Sequence, residues 1–437
     1  MALVSCKKSI VEQDVLITGA SIEDQKSHYA VSKEDALNRL NDFMDAFDGA
    51  ETRSQHRRVV SIKGVSAENI CGQTRGSQTN EIGDLLYIVE FENGMGSAIL
   101  GADERLESVY AVLDESVLTV DDFNNALNGD NLDDISTFAA RLIVNDVNNS
   151  IFDRNDSLEL TPPGGGFNTH WYDYVTVVTR TKYIEPLLNT KWDQTSYYND
   201  RFPNTETGAE FGDGKQCAGC TTIALAQILN NNSYPSPIEV NNHTYYWRDL
   251  NRHTWNAEPS DIESVDTNLM ASFIFDLAED LRVEYDSNGS TSAGVNDVKR
   301  VMRRLGYSNF SEGGITEGRI YPMLLNGRAV WTEGYGTNCG HAWVIDGWKT
   351  LRSNYYCITY NADNVEISRE LQLSVTESYV HCNMGWGARC DGYYTTTIFD
   401  TTRAHIGDYI EIEYGDKANT TNEYVYNQGF NTLIYSF

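Results

Sequence analysis

Basic residues are scarce in this chain of 437 residues: 33 Lys and Arg stand against 63 Asp and Glu, a formal charge of -30. A field of that sign repels phosphate backbones and anionic lipid surfaces, which argues against nucleic acid as a partner. No run of about eighteen apolar residues occurs, so the sequence offers no membrane-spanning helix. Eight cysteines are too few for a disulfide scaffold in a chain of this length. Internal repeats and low-complexity tracts are also missing. What remains is a globular composition, 41% hydrophobic, with room for two or three domains that each bury a core.

The first 30 residues read as a leader. "MALVSCKKS" places Leu3, Val4 and Ser5 before Cys6, the order of a bacterial lipobox, which makes Cys6 a candidate lipid anchor, although no apolar segment precedes it. Residues 31–152 pattern as a small α+β unit. Ser32 precedes a helical run carrying Ala36, Leu40, Phe43, Met44 and Phe47. "RRVVSIKGV" reads as a strand, and Asn93-Gly94 between two apolar runs signals a hairpin. "FAARLIVNDVNNSIF" is a second helix. Residues 153–182, with Pro162, Pro163 and three successive glycines, read as an exposed linker and processing region.

Residues 183–437 hold seven of the eight tryptophans and six of the eight cysteines. Helical patterns come first: "CTTIALAQILNN", "VDTNLMASFIFDLAEDL" and "GVNDVKRVMRRLG", the last closed by Gly306. Strand patterns follow in "RAVWTEGYG", "HAWVIDGWKT", "NYYCITY", "SYVHCNMGWG" and "DGYYTTTIF". Helices followed by an antiparallel sheet describe an α+β unit of two halves with a cleft between them.

Chemistry concentrates at "GKQCAGCTTIALAQILNNNSYP", where Cys217 and Cys220 stand three apart. That spacing alone fits a redox dithiol, half of a zinc site completed by Cys339 and His341, or a nucleophile with an incidental neighbour. Position separates the two thiols. Cys220 follows Gly219 and opens the helical run, where unpaired N–H groups and the helix dipole favour a thiolate. A nucleophilic cysteine needs a base, and His341 begins an apolar strand after a Gly-rich turn, 121 residues later. That order and separation are close to the papain arrangement.

The motifs "AGCTTIALAQILNNNSYP", "GHAWVIDGW" and "HCNMGWGARCDGYY" together resemble the streptopain family of papain-like bacterial cysteine peptidases, and "YIVEFENGMGSAILGAD" resembles that family's propeptide. The resemblance implies a papain-like two-subdomain fold behind a small propeptide domain. It implies a secreted or surface-anchored endopeptidase made as an inactive zymogen, acting on protein and peptide substrates without a metal or organic cofactor, and inhibited by its own N-terminal segment. It also implies Cys220 as nucleophile and His341 as base. Gln194 and the Cys220 amide would form the oxyanion hole, and Trp386 would shield the pair. Ser290, Ser292 and Gly340 would lie along the substrate cleft, and Cys217 would have a disulfide partner, as in papain relatives.

One position departs from the family pattern. Met384 stands where the pattern has an aromatic residue and papain its orienting Asn, and a thioether is a poor partner for imidazole. Asn383 or a backbone carbonyl would then orient His341. The departure keeps a second reading open, a peptidase-like binding protein without activity. Cys382 and Cys390 would form a local disulfide in an exported protein, or remain buried thiols.

Overall fold

The capped run after Ser32 folds as its pattern dictates. In this computed structural model, which describes residues 29–49, 57–71, 83–128, 134–153, 171–205, 214–251, 267–287, 289–335, 340–361, 363–400 and 429–437, the Ser32 hydroxyl accepts the Asp35 amide and Ala36, Leu40, Phe43 and Phe47 face inward. This helix, α1 (Lys33–Asp48), opens an N-terminal unit. It continues through β1 (Val59–Ser66), α2 (Ala67–Cys71), β2 (Asp84–Phe91), β3 (Ser97–Gly101), β4 (Val109–Leu113), α3 (Val120–Asn128) and α4 (Ile135–Asp153). The Asn93-Gly94 hairpin joins β2 to β3, with Asn93 at φ 60°.

Strand alternation decides which face each apolar residue serves. Tyr87 and Val89 pack under α1, while Leu86 and Ile88 join the larger core with α2, α3 and α4. Both faces of β2 are therefore covered, and its sequence is almost continuously apolar.

The rest of the chain begins with β5 (Trp171–Ile184), then α5 (Cys220–Asn232), β6 (Ile238–Val240), β7 (His243–Tyr245), α6 (Trp247–Leu250) and α7 (Thr267–Leu281). Next come β8 (Glu284–Tyr285), β9 (Thr291–Ser292), α8 (Val295–Arg304), β10 (Ser308–Gly313), α9 (Glu317–Leu325) and β11 (Val330–Tyr335). The chain closes with β12 (Gly340–Tyr360), β13 (Glu366–Asn383), β14 (Gly392–Thr395) and β15 (Gly429–Ser436). After β5, helices α5 to α9 with short strands between them precede strands β11 to β15, in keeping with the expected α+β order.

One antiparallel sheet runs through both units in the order β1-β2-β3-β4-β14-β13-β12-β11-β15-β10, with β5 on the far half of β12. The joint between units is the β4–β14 pair, with Gly392 opposite Leu113 and Tyr394 opposite Ala111. Two expectations change here. "HAWVIDGWKT" and "NYYCITY" are one strand of 21 residues, because β13 on one side, and β11 then β5 on the other, pair along its length. The expected linker over 153–182 ends in β5, whose residues from Trp171 onward pair with β12, while Pro162 to Gly166 lie outside the described residues.

Candidate active site

Cys220 is the first residue of α5, and Gly219 before it has φ 86°. A side chain at 219 would meet the Thr291 carbonyl oxygen at 2.9 Å, so both conformation and space call for glycine. The approach to the helix is held from two sides. Ala218 N–H donates to the Gln194 carbonyl at 2.8 Å, and Cys217 N–H donates to the Gly289 carbonyl at 2.9 Å. Thr291 Oγ1 donates to the Cys217 carbonyl at 2.7 Å. Cys217 is thus buried in a clamp that shapes the turn, while Cys220 is half-buried at the helix tip.

His341 lies in β12 opposite Gly334 of β11, and Gly340 is opposite Tyr335. Residues 336–339, including Cys339, lie outside the described residues. The Nε2–H of His341 donates to the Met384 carbonyl at 3.1 Å. That bond leaves Nδ1 as the basic nitrogen of the ring. Asn383, the side chain expected to orient the ring in place of Met384, bonds elsewhere: its Oδ1 accepts Gln227 Nε2 at 2.8 Å and Gly385 N–H at 3.1 Å, and its Nδ2 donates to the Thr190 carbonyl at 2.9 Å. Met384 therefore supplies through its main chain what its side chain lacks.

Two rings close on the imidazole. Trp343, two residues along the same strand, stacks at 6.1 Å and 13°. Phe138 of α4 meets it edge-on at 4.8 Å and also packs on Trp343 at 5.8 Å. The N-terminal unit thus reaches the histidine directly. Burial lowers the His341 pKa to about 4 against the upward pull of the Met384 carbonyl, so the ring is neutral at pH 7. Burial likewise pushes the Cys220 thiol up, opposed by amides that include Ala342 N–H, the residue after His341. Both groups are held in their uncharged forms.

The oxyanion side is present in outline. Gln194 is buried, and its Nε2 has no hydrogen-bond partner among the described residues. A buried donor without an acceptor costs free energy unless a ligand supplies one. The segment carrying it also holds the turn beyond His341, since Gly387 N–H donates to the Trp192 carbonyl at 3.2 Å. Trp386 sits half-buried on that turn. Ser290 Oγ bonds Asp286 at 3.2 Å, and Ser292 is exposed opposite Glu284, so in this loop it is Thr291 that touches the nucleophile's turn. Cys382 and Cys390 are buried free thiols. No group of three His, Cys, Asp or Glu side chains that could hold a metal gathers among the described residues.

A second set of bonds locks the units together beside this site. His381 donates from Nδ1 to Asp346 at 2.5 Å and from Nε2 to Asp114 of the N-terminal unit at 3.0 Å. Burial opposes a charge on that ring, yet the two carboxylates hold its pKa well above the usual value. Asp114 N–H donates to the Asp391 carbonyl, and Ser116 Oγ accepts Cys390 N–H at 2.9 Å.

Known proteins resemble this chain in sequence and in fold. Residues 192–394 match the Peptidase C10 family model. Streptopain of Streptococcus pyogenes is 25% identical over 246 residues, covering 48% of this chain and 55% of the relative, and its serotype M1 form is 24% identical over 245 residues. The chain thus spans about half the length of the curated relatives it matches. A solved fragment of Prevotella intermedia prointerpain A superposes with a TM-score of 0.51 at 17% identity, covering 87% of this chain and 98% of that one, a likeness of fold alone. The sequence is thus similar to the Peptidase C10 family over residues 192–394 and to streptopain, and the α+β fold is like that of prointerpain A.

Proposed function

We propose that this chain is a cysteine endopeptidase in its zymogen form, with Cys220 as nucleophile and His341 as base. What supports the reading is a thiol at a helix N-terminus, its burial opposed by the amide of Ala342, next to a histidine whose Nε2–H is already engaged, which leaves Nδ1 of His341 to accept the thiol proton. In the reaction, the Cys220 thiolate attacks the scissile carbonyl. Gln194 Nε2 and the Cys220 amide receive the oxyanion, and imidazolium His341 protonates the departing amine. Water deprotonated by neutral His341 then hydrolyses the thioester and releases the thiol.

The N-terminal unit silences this chemistry by desolvation. An ion pair needs water or partners around both charges, and Phe138 covers the imidazole while burial keeps the thiol protonated. Processing removes Phe138 and restores the charge-separated pair. Because residues from Trp171 onward pair along β12, the cut lies upstream of β5 and the mature enzyme keeps that strand. The reading includes export, as the family resemblance implies, with Cys6 as a candidate lipid anchor; Cys6 lies outside the described residues.

The test is a gel comparison of the wild type with Cys220→Ala after incubation in reducing agent. The wild type converts to a shorter form that hydrolyses casein, and the variant stays full length. A wild type that stays full length and leaves casein intact after trimming by added protease contradicts the proposal.

A further inference from the structure

The Asp391-Gly392 pair of "CDGYY" has no part in the chemistry above, yet Asp391 is buried and its Oδ1 accepts Met384 N–H at 2.7 Å. The Met384 carbonyl is the group on His341 Nε2. Its direction is a matter of two peptide planes. Met384 C=O and Gly385 N–H belong to one planar trans unit and point opposite ways, so Asn383 Oδ1 on Gly385 N–H sets the axis of that carbonyl. Met384 N–H belongs to the preceding plane, which Asp391 holds. With both planes fixed, the two torsions of Met384 have no freedom left.

The anchors are themselves tied down. Asn383 is fixed by Gln227, which stands two turns along α5 from Cys220 and also accepts the Thr190 hydroxyl at 2.7 Å. The helix that carries the nucleophile and the turn that aims the base thus share one buried amide network. The ionisable groups around Asp391 are His381, Asp346 and Asp114, with Cys382, Cys390 and Tyr394 also facing it; burial raises its carboxyl to about 7, against the pull of Met384 N–H and His381. Protonated or not, one oxygen remains an acceptor for Met384 N–H.

We infer that Asp391 is a positioning residue that aims the Met384 carbonyl at His341, with Asn383 fixing the adjoining peptide plane, so that main chain replaces an orienting side chain. The inference rests on the peptidase reading. Its test uses the processed enzyme and the Asp391→Leu, Asp391→Asn and Asn383→Ala variants, with a fluorogenic peptide, alkylation of Cys220 by iodoacetamide across pH, and thermal unfolding. Asp391→Leu removes the acceptor at similar volume and lowers kcat by about 10–100-fold, with KM within about twofold. The alkaline limb of kcat/KM moves to lower pH, because imidazolium loses the acceptor that favours it. Asp391→Asn retains the acceptor and stays within about threefold of wild type.

Should Asp391→Leu fail to fold, Asn383→Ala reports on the other plane and shifts the same limb in the same direction. The inference is overturned if Asp391→Leu matches wild type, or if Leu and Asn variants lose activity equally with an unmoved alkaline limb, the sign of a merely structural role. Failure of the peptidase reading looks different: wild type and Cys220→Ala are then equally inactive, and the inference falls with it.

Discussion

Replacing Phe138 by alanine in the uncleaved chain should unmask Cys220. The ring is almost fully buried and touches both His341 and Trp343 across the boundary between units. A buried Phe→Ala change costs about 3–5 kcal/mol in total, part of it inside the N-terminal unit's own core. The share lost across the boundary comprises two aromatic contacts at about 0.5–1.5 kcal/mol each plus some burial, in all about 2–3 kcal/mol. At about 1.4 kcal/mol per decade, the population with His341 uncovered rises by about 30–150-fold. The assay is the initial rate of iodoacetamide addition to Cys220 in the full-length protein at pH 7, read by mass spectrometry before any cleavage. Phe123→Ala serves as the control, since that ring is equally buried but lies in the core of α3. No acceleration in Phe138→Ala, or equal acceleration in both variants, refutes the argument that Phe138 acts on the dyad.

Two further outcomes follow from the site. The pKa of His341 in the folded chain, about 4, lies below its ordinary 6.5, so unfolded chains bind a proton first as pH falls. Its contribution therefore destabilises the fold progressively from pH 6.5 down to about 4, by at most about 1.4 kcal/mol per unit; urea unfolding of Cys220→Ala with and without His341→Asn isolates that slope, and identical slopes contradict it. Gln194→Ala removes the unpartnered amide and should lower kcat of the processed enzyme by about 10²–10³ with little change in KM; a loss confined to KM would place Gln194 in substrate binding instead.

Local features were legible in the sequence. The Ser32 cap with its apolar spacing, the Asn93-Gly94 hairpin and the glycine before Cys220 each state their geometry within a few residues. Long-range pairing was harder to read. "LRS" falls between the two strand patterns "HAWVIDGWKT" and "NYYCITY", but it continues β12 because β5 and β13 pair on either side of it. The strand signal in "YVTVVT" of β5, rich in β-branched residues, is masked by the Pro-Gly run before it. Phe138 gave no hint of its partner, since a helix pattern shows that a face is buried and not against what. Trp343 did carry a signal: two residues from His341 on one strand, it had to share the histidine's face.

The orienting group illustrates a deeper limit. Met384 kept an inactive reading open because residue identity describes side chains, whereas the group that holds His341 is a carbonyl every residue possesses. What distinguishes it is where the chain is pinned, and the pins at Asp391 and Asn383 are visible only once the turn is folded. Gln227 of the "ALAQI" helix belongs to the same class, a polar residue in the buried stretch of α5 whose partners lie at Thr190 and Asn383.

The central claim, that Cys220 is a nucleophile activated by His341, is tested most directly by an epoxide affinity reagent on processed enzyme, with the adduct located by peptide mass spectrometry. The account predicts one adduct, on Cys220, that forms at least about 100-fold more slowly in His341→Ala. An adduct on Cys217, or labelling of Cys220 at the same rate without His341, would contradict it.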